Sequence, residues 1–360
     1  MTRISGAFLT GALLLTVAAC VGAGATSAPP ATQAPATSAT SVATATAIPS
    51  CGCSFGTSVS AEVTPAATTG GLATTQPGQS GTVVAWGDNS SGQTGVPSGL
   101  TDVVAVAAGD DISMALQSDG NIVVWGGASD PAETQIPSSA TNVEAIAAGS
   151  NFGLALRFDG TVVGWGDNTY NEATPPSGLT DVIEISAAGS HALALTAGGT
   201  VVAWGDDSNG ATDVPAGLKN VAGVSAGYDF SVALLANGTV VAWGDKYPTD
   251  VASGVTRVPA GLSGVSAISA GFAHILALKS DGSVVGWGTN QDGETTIPAG
   301  LKAVAISAGG NFSLALKSDG TVVAWGGNDS EQATVPAGIS RVIAIDAGGS
   351  HALAVVASGS

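Results

Sequence analysis

Positive charge is scarce in this chain. Its 360 residues carry 9 lysines and arginines against 27 aspartates and glutamates, a formal net charge of −18. Phosphate backbones are gripped by clustered Lys and Arg, so the composition argues against nucleic acid as a partner. Such a surface also repels anionic membranes and glycans, and a basic protein partner fits it better than an acidic one. Cysteine is nearly absent: Cys20, Cys51 and Cys53 are the whole supply. Cys51 and Cys53, one residue apart, can form a strained local disulfide, link to another chain or stay free, and metal binding needs more ligands than this stretch offers. Three histidines, His191, His274 and His351, leave little raw material for a catalytic triad or a His-rich metal site. Aromatics outside one repeated phrase are too few for the sugar-gripping cleft that paired glycosidase carboxylates need. No segment shows a sustained helical period with caps, so no glycine loop opens a helix onto phosphate. The expectation is a non-enzyme without metal or cofactor.

What the chain has is periodicity. Its only tryptophans are Trp86, Trp125, Trp165, Trp204, Trp243, Trp287 and Trp325, at successive gaps of 39, 40, 39, 39, 44 and 38 residues. Each ends the same phrase, from Gly81-Thr-Val-Val-Ala-Trp86 to Gly320-Thr-Val-Val-Ala-Trp325. One supersecondary unit has been copied along the chain. In the unit ending at Trp325, the apolar run Phe312-Ser-Leu-Ala-Leu316 and the Trp run flank Asp319-Gly320. That pattern predicts a hairpin with a tight primed turn, whose central residues need positive φ. The turn recurs at Asp119-Gly120, Asp159-Gly160, Gly198-Gly199, Asn237-Gly238 and Asp281-Gly282. After Trp-Gly a polar stretch leads to Pro97, Pro137, Pro176, Pro215, Pro259, Pro298 or Pro336. Proline cannot donate to a ladder and marks a loop or a strand entry. A third apolar run, such as Val103–Ala108, follows. Each unit has room for three strands and a weak fourth near the proline.

Repeats of this kind suggest β-propeller blades. The array's ends are complementary: Gly81–Gly87 has no hairpin partner before it, and the run Ala347–Val355 has no Trp strand after it. Pairing residues 81–87 with the strand around 351–357 predicts an all-β, seven-bladed propeller closed by the N- and C-terminal strands of the array. An open β-solenoid would leave sheet edges and call for capping repeats, and none is visible. The phrases Ala187–Leu195, Ala308–Leu316 and Ala347–Val355, each an Ala-Gly step before an Ala-Leu or Leu-Ala alternation, resemble the repeats of the regulator of chromosome condensation family. The middle one has Phe312 where the family has His. The resemblance covers about residues 81–360 and implies a seven-bladed ring; Trp-Gly in place of Trp-Asp argues against the WD type. For function it implies less: the family includes an exchange factor for a GTPase, photoreceptors and many bacterial proteins. No chromatin-binding tail or exchange-factor insertion is matched. A bacterial relative in shape is the propeller-type β-lactamase inhibitory protein, which keeps an enzyme inhibitor open as the alternative, beside a carbohydrate-binding propeller.

Residues 1–19 read as a signal peptide. Arg3 precedes a short apolar run from Ile4 to Val17, less than the roughly 20 residues of a membrane span. Val17-Ala-Ala-Cys20 resembles a bacterial lipoprotein processing site, with ordinary cleavage near Ala19 as the alternative. Lipid on Cys20 would be the sole membrane contact of an extracytoplasmic cell-envelope protein, and residues 20–80, rich in Ala, Thr, Ser and Pro, would be a disordered tether. Its flexible reach is about 45 Å. Losing Arg3 with the signal leaves 8 bases against 27 acids, or −19.

Comparison of the copies separates scaffold from surface. All three histidines occupy one repeat position, thirteen residues before Trp204, Trp287 and the absent eighth Trp. Ile112, Phe152, Phe230 and Phe312 fill it elsewhere. Such a position is for packing, with a buried imidazole donating to backbone; the tryptophans likewise fill the core. Asp88–Gly92 and Asp206–Gly210 faintly resemble calcium loops but lack the closing Glu, and Asx turns explain them. The residues after each Ala-Gly step vary. Asp110, Asp111, Asn151, Tyr228, Asp229, Phe272 and Asn311 are therefore the candidate partner-binding residues of one rim. Tyr170 and Tyr247 add aromatic character to the loops after Trp, on what could be another edge. The longest of these, Asp245–Val258, also carries Lys246 and Arg257. The expected function is non-catalytic protein binding by a monomer.

Overall fold

The computed structural model describes residues 79–127, 131–245 and 254–359. Cys20, Cys51, Cys53, the signal segment, the tether up to residue 78, and Lys246 and Tyr247 lie outside them. Strand β1 (Gly81–Gly87) is followed by β2 (Val103–Ala108), β3 (Ile112–Gln117) and β4 (Ile122–Gly126). The same triplet then recurs as β5 (Val143–Ala148), β6 (Phe152–Arg157), β7 (Val162–Gly166) and as β8 (Val182–Ala188), β9 (His191–Thr196), β10 (Val201–Gly205). Next come β11 (Val221–Ala226), β12 (Phe230–Leu235), β13 (Val240–Gly244) and β14 (Val265–Ala270), β15 (His274–Lys279), β16 (Val284–Gly288). The chain ends with β17 (Ala305–Ala308), β18 (Phe312–Leu316), β19 (Val322–Gly326), then β20 (Val342–Ala347) and β21 (His351–Ala357).

Each triplet is an antiparallel three-stranded sheet. The last unit, β20–β21, is completed by β1, which pairs with β21 along its whole length from Gly81 opposite Ala357 to Gly87 opposite His351. This sheet continues into β2–β3–β4 through a single bridge between Gly81 and Val103, giving one six-stranded sheet beside five three-stranded ones. The pairing matches the register expected from the complementary ends. A fourth strand near the proline is not formed among the described residues. That segment turns instead, because the proline carbonyl accepts from the amide three residues on, as in Leu218 to Pro215 at 3.1 Å and Leu301 to Pro298 at 3.1 Å. The hairpin turns also differ from expectation. Gly120 has φ 85° while Asp119 stays negative, and Gly120 N–H donates to Gln117 C=O at 2.9 Å. Positive φ is needed only at the glycine that follows an ordinary turn, so the primed form is not used.

Each middle strand is buried on both faces; Ile112 to Leu116 shows the pattern. A sheet covered on both sides reads as a continuous small-apolar run, which is why Ala, Leu and Val dominate. First strands pack in succession, β2 on β5, β5 on β8 and onward to β17 on β20, and β20 packs on β2. Blades come so close near the axis that backbone meets backbone: a Cβ on Gly109 would clash with Gly149 C=O, and one on Gly348 with Gly109 C=O. Glycine at these steps is a steric requirement.

Every tryptophan makes the same bond to the neighbouring blade. Trp125 Nε1 donates to Gln93 C=O at 2.8 Å, Trp165 to Glu133 at 3.1 Å, Trp204 to Glu172 at 2.8 Å and Trp243 to Ala211 at 2.9 Å. Trp287 donates to Val255 at 2.9 Å and Trp325 to Glu294 at 2.8 Å. Trp86 completes the set by reaching Gln332 at 2.9 Å, from one end of the array to the other. The histidines are buried, as expected, but bond to serine and not to backbone. His191 Nε2 lies 3.0 Å from Ser231 Oγ, His274 3.0 Å from Ser313 and His351 2.8 Å from Ser113. Each serine donates onward to the carbonyl of Ala211, Glu294 or Gln93, at 2.8, 2.9 and 2.8 Å. With its one hydrogen so placed, serine accepts from the imidazole, which is therefore the Nε2–H tautomer.

Deleting residues 347–360 removes β21, the only full-length partner of β1 and of β20 among the described residues. The truncated protein should lose cooperative global folding. An unchanged melting transition, followed by tryptophan fluorescence, would contradict ring closure through this strand.

Candidate functional site

Within a blade the first strand runs up to the Ala-Gly step, the second runs down and the third returns to Trp-Gly. Two kinds of loop therefore share the upper end: the Ala-Gly connection and the start of the post-Trp segment. Hydrogen bonds join them. Asp167 N donates to Asn151 C=O at 2.9 Å, Asp206 N to Ser190 at 2.9 Å, Asp245 N to Asp229 at 3.0 Å, and Gly127 N to Asp111 at 2.8 Å. Tyr170 thus belongs to the same rim, not to another edge.

The rim is organised around two depressions. On the axis lies a cavity of about 70 Å³, lined by the ends of all seven first strands, with Asp110 and Phe272 also in its lining. Its polar lining is a chain of hydroxyls at one repeat position. Ser186, Ser225, Ser269 and Ser307 Oγ accept from the amides of Ala226, Ala270, Ala308 and Ala347 in the next blade, at 2.9, 3.0, 2.9 and 3.0 Å. Asp346 takes the same place in the last unit: Oδ2 accepts from Ala108 N at 2.8 Å and Oδ1 from Ser307 Oγ at 3.0 Å. Ala107 and Ala147 interrupt the chain. Burial pushes the Asp346 carboxyl up to about 7 against the opposing pull of these hydrogen bonds. Burial also raises Asp110, and Asp111 adds to the effect.

The second depression, about 160 Å³, lies off the axis among Tyr170, Ser190, Asp206, Asn209, Tyr228 and Asp229. Tyr228 stands between the two. It is 42% exposed, and its ring packs on Phe272, 38% exposed, with centroids 4.8 Å apart and planes tilted by 46°. Tyr170 is 49% exposed.

Of the residues singled out from sequence, Tyr228 and Phe272 are in contact, Asp110 and Phe272 both line the axial cavity, and Tyr170 and Asp229 share the lateral depression with Tyr228. Asp111, Asn151 and Asn311 sit at the equivalent rim position of other blades and line neither depression. Tyr247 lies outside the described residues. Sequence reading passed over Asp206 and Asn209 as site residues. The signal was present in the Asp206–Gly210 run, taken there as an Asx turn. The turn is real: Asp206 Oδ1 and Oδ2 accept from Ser208 N and Oγ, both at 2.9 Å. Asp88 Oδ1 and Oδ2 likewise accept from Ser90 N at 3.0 Å and Ser90 Oγ at 2.8 Å.

Five segments of the chain, 143–172, 182–211, 221–246, 265–294 and 303–332, match the Regulator of chromosome condensation (RCC1) repeat. The chain is thus an all-β protein carrying RCC1 repeats. Among solved structures it is similar to Prp20p from Saccharomyces cerevisiae, a protein characterised for binding Gsp1p and histones. The TM-score is 0.68 at 17% identity, over 80% of this chain and 94% of that one. Human WBSCR16 gives 0.60 at 18% identity, over 77% and 100% of the two chains. The ectodomain of the Physcomitrella patens receptor kinase CR4 gives 0.54 at 26% identity, over 68% of each. No curated protein sequence matches the chain.

The axial carboxyl makes a pH prediction. Because the folded state holds the Asp346 proton more tightly than an ordinary carboxyl, its stabilising contribution is full below about pH 4 and is lost as pH rises through about 7. Asp346→Ser, the residue of four other units, should be more stable than the parent above pH 7 by about 1–3 kcal/mol, with the gap closing towards pH 4. Burial holds the three histidines down near 4, so they erode stability below pH 6.5 in both proteins and cancel in the difference. Urea midpoints across pH 4–8 measure it; a gap independent of pH would refute the assignment.

Proposed function

We propose that this chain is a non-catalytic protein-binding scaffold: a closed seven-bladed propeller that engages a protein with the rim bearing Tyr228 and Phe272. The observation that carries the reading is the exposed Tyr228–Phe272 pair, whose Phe272 lines the axial cavity and whose Tyr228 lines the lateral depression. Everything else at this repeat position is Asp, Ser or Gly. Aromatic rings of this kind anchor interfaces because they bury large area at small entropic cost. Propeller neighbours such as Prp20p, which bind proteins, support the same class of function. The succession of first-strand packing around to β20 on β2, and the Trp86 bond to Gln332, support closure of the ring. An enzyme inhibitor would be a special case of this reading, in which the partner is an enzyme.

Capture of partners from the organism's envelope or medium tests it. Replacing Tyr228 and Phe272 together by Ala should weaken the captured partner by at least about tenfold, since true anchors cost more than about 1–2 kcal/mol each. Retained affinity would reject this rim.

We further propose display outside the cytoplasm on the 20–80 tether, with lipid on Cys20. The support is the Val17–Cys20 processing pattern alone. Cys20→Ala should abolish fatty-acid labelling and leave the signal segment uncleaved by the lipoprotein route. Unchanged mass and membrane retention in that variant would overturn the anchor.

A further inference from the structure

Charge is distributed unevenly between the two ends of the blades. Arg157, Lys219, Lys279, Lys302, Lys317 and Arg341 all lie at the end of the hairpin turns and first-strand entries. Carboxylates meet them there: Arg157 pairs with Asp159, Lys317 Nζ lies 2.9 Å from Asp319 and Lys302 Nζ 3.5 Å from Asp281. The rim end has Asp88, Asp110, Asp111, Asp167, Asp206 and Asp229 with no described base beside them; Arg257 lies part-way along a post-Trp segment. Among the described residues, the excess of acid over base therefore falls at the rim end.

The lateral depression concentrates that property and adds aromatic walls. It is assembled from three consecutive blades: Tyr170 from the loop after β7, Ser190 and Asp206–Asn209 from the third triplet, and Tyr228–Asp229 from the fourth. About 160 Å³ is well below the roughly 300–1,000 Å³ of small-molecule sites, but it is room for the head of one long side chain. Asp206 is held by Ser208 through both oxygens. Asp229 is braced by Asn209, and burial, with Asp206 and Asp245 nearby, raises its pKa. Such carboxylates gain when a cation arrives. Two half-exposed tyrosine rings beside them supply faces for a cation and area for an aliphatic stem.

We propose that this depression receives a lysine or arginine side chain of a protein partner, bordered by Tyr170 and Tyr228 and met by the carboxylates of Asp206 and Asp229. The proposal rests on the protein-binding reading of the rim and specifies the partner's chemistry: a basic surface with one protruding cation. The adjoining Tyr228–Phe272 pair would take an apolar neighbour of that cation, with Tyr228 shared between both contacts.

The test uses the full chain and three probes followed by NMR: Nα-acetyl-arginine amide, its neutral citrulline analogue and tetramethylammonium chloride. The arginine probe should produce saturable shifts of Tyr170, Tyr228 and Asn209 signals, and citrulline should not. The double variant Asp206→Asn, Asp229→Asn should weaken arginine binding by about tenfold, and Tyr170→Ala by a smaller factor; an unaltered melting transition shows that both remain folded. Equal response to citrulline, or unchanged arginine binding in the double variant, overturns the proposal. Tighter binding of tetramethylammonium than of arginine overturns its assignment to a protein side chain. Failure here is separable from failure of the rim reading. A captured partner lost on Tyr228→Ala with Phe272→Ala, yet bound at full strength by the double Asn variant, leaves the rim in place and removes the cation pocket.

Discussion

A narrow three-stranded sheet of alanine, valine and leucine cannot bury itself, and the rest of the structure follows from that. Each blade here needs cover on both faces, so it needs two neighbours, and an array with ends would leave two faces wet. In the closed ring proposed above, the complementary halves at the termini remove the ends. β1 supplies the strand that β20–β21 lacks, and Trp86 reaches Gln332 as each other tryptophan reaches its neighbour. The indole is suited to this seam: its rings fill the gap between blades while its single N–H satisfies a loop carbonyl that would otherwise be buried unpaired. Two of the loops so pinned carry Tyr170 and Asp206, so the seam that stabilises the fold also fixes the candidate site.

The seams are not alike, and their differences are paired. Where one blade presents His191, His274 or His351, the next presents Ser231, Ser313 or Ser113. Where the first position is Ile112, Phe152, Phe230 or Phe312, the residue standing in the serine's place is Gly153, Ala192, Ile275 or Ala352. A histidine set against Ala192 would bury an unpaired N–H, at a cost of about 1–3 kcal/mol. A serine set against Phe230 would keep its bond to the loop carbonyl but lose the imidazole N–H that it accepts in the polar seams. Near-identical repeats risk closing with the wrong neighbour, and this alternation of polar and apolar seams penalises such exchanges. The pairing of His351 with Ser113 places one polar seam between the last and first units of the array.

Much of the fold was legible because the constraints that fix it repeat. A tryptophan every 38–44 residues, a glycine where two backbones touch and a hairpin glycine each appear six or seven times, and the missing halves at the ends predict the register of β1 on β21. What repeats poorly was hard to read. The turn type depended on the φ of Asp119, which Asp-Gly alone does not reveal, and the proline segments looked strand-like because their flanking apolar residues, such as Leu218, pack on the core as strand residues do. The histidine–serine bonds lie 39 or 40 residues apart or span the closure, so composition at one position hides them. Aligning the copies would have exposed them, since the two positions change together.

The candidate site was legible as an irregularity, and only in part. Tyr228 and Phe272 stand out because their neighbours in other blades are Asp110, Ser150, Gly189, Gly310 and Gly349. Their contact with each other could not be seen, nor could their proximity to Tyr170, because both depend on how blades are placed side by side. One clue was available. Three antiparallel strands per unit bring the Ala-Gly connection and the start of the post-Trp segment to the same end, so counting strands assigns Tyr170 and Asp206 to the rim of Tyr228. The same count sends the hairpin turns, with Arg157, Lys279 and Lys317, to the other end. Strand number therefore sorts the charge as well as the loops. An excess of acid that reads in the sequence as a general property becomes, among the described residues of the folded chain, a face that carries exposed aromatic rings, while Arg157, Lys219, Lys279, Lys302, Lys317 and Arg341 lie at the other end.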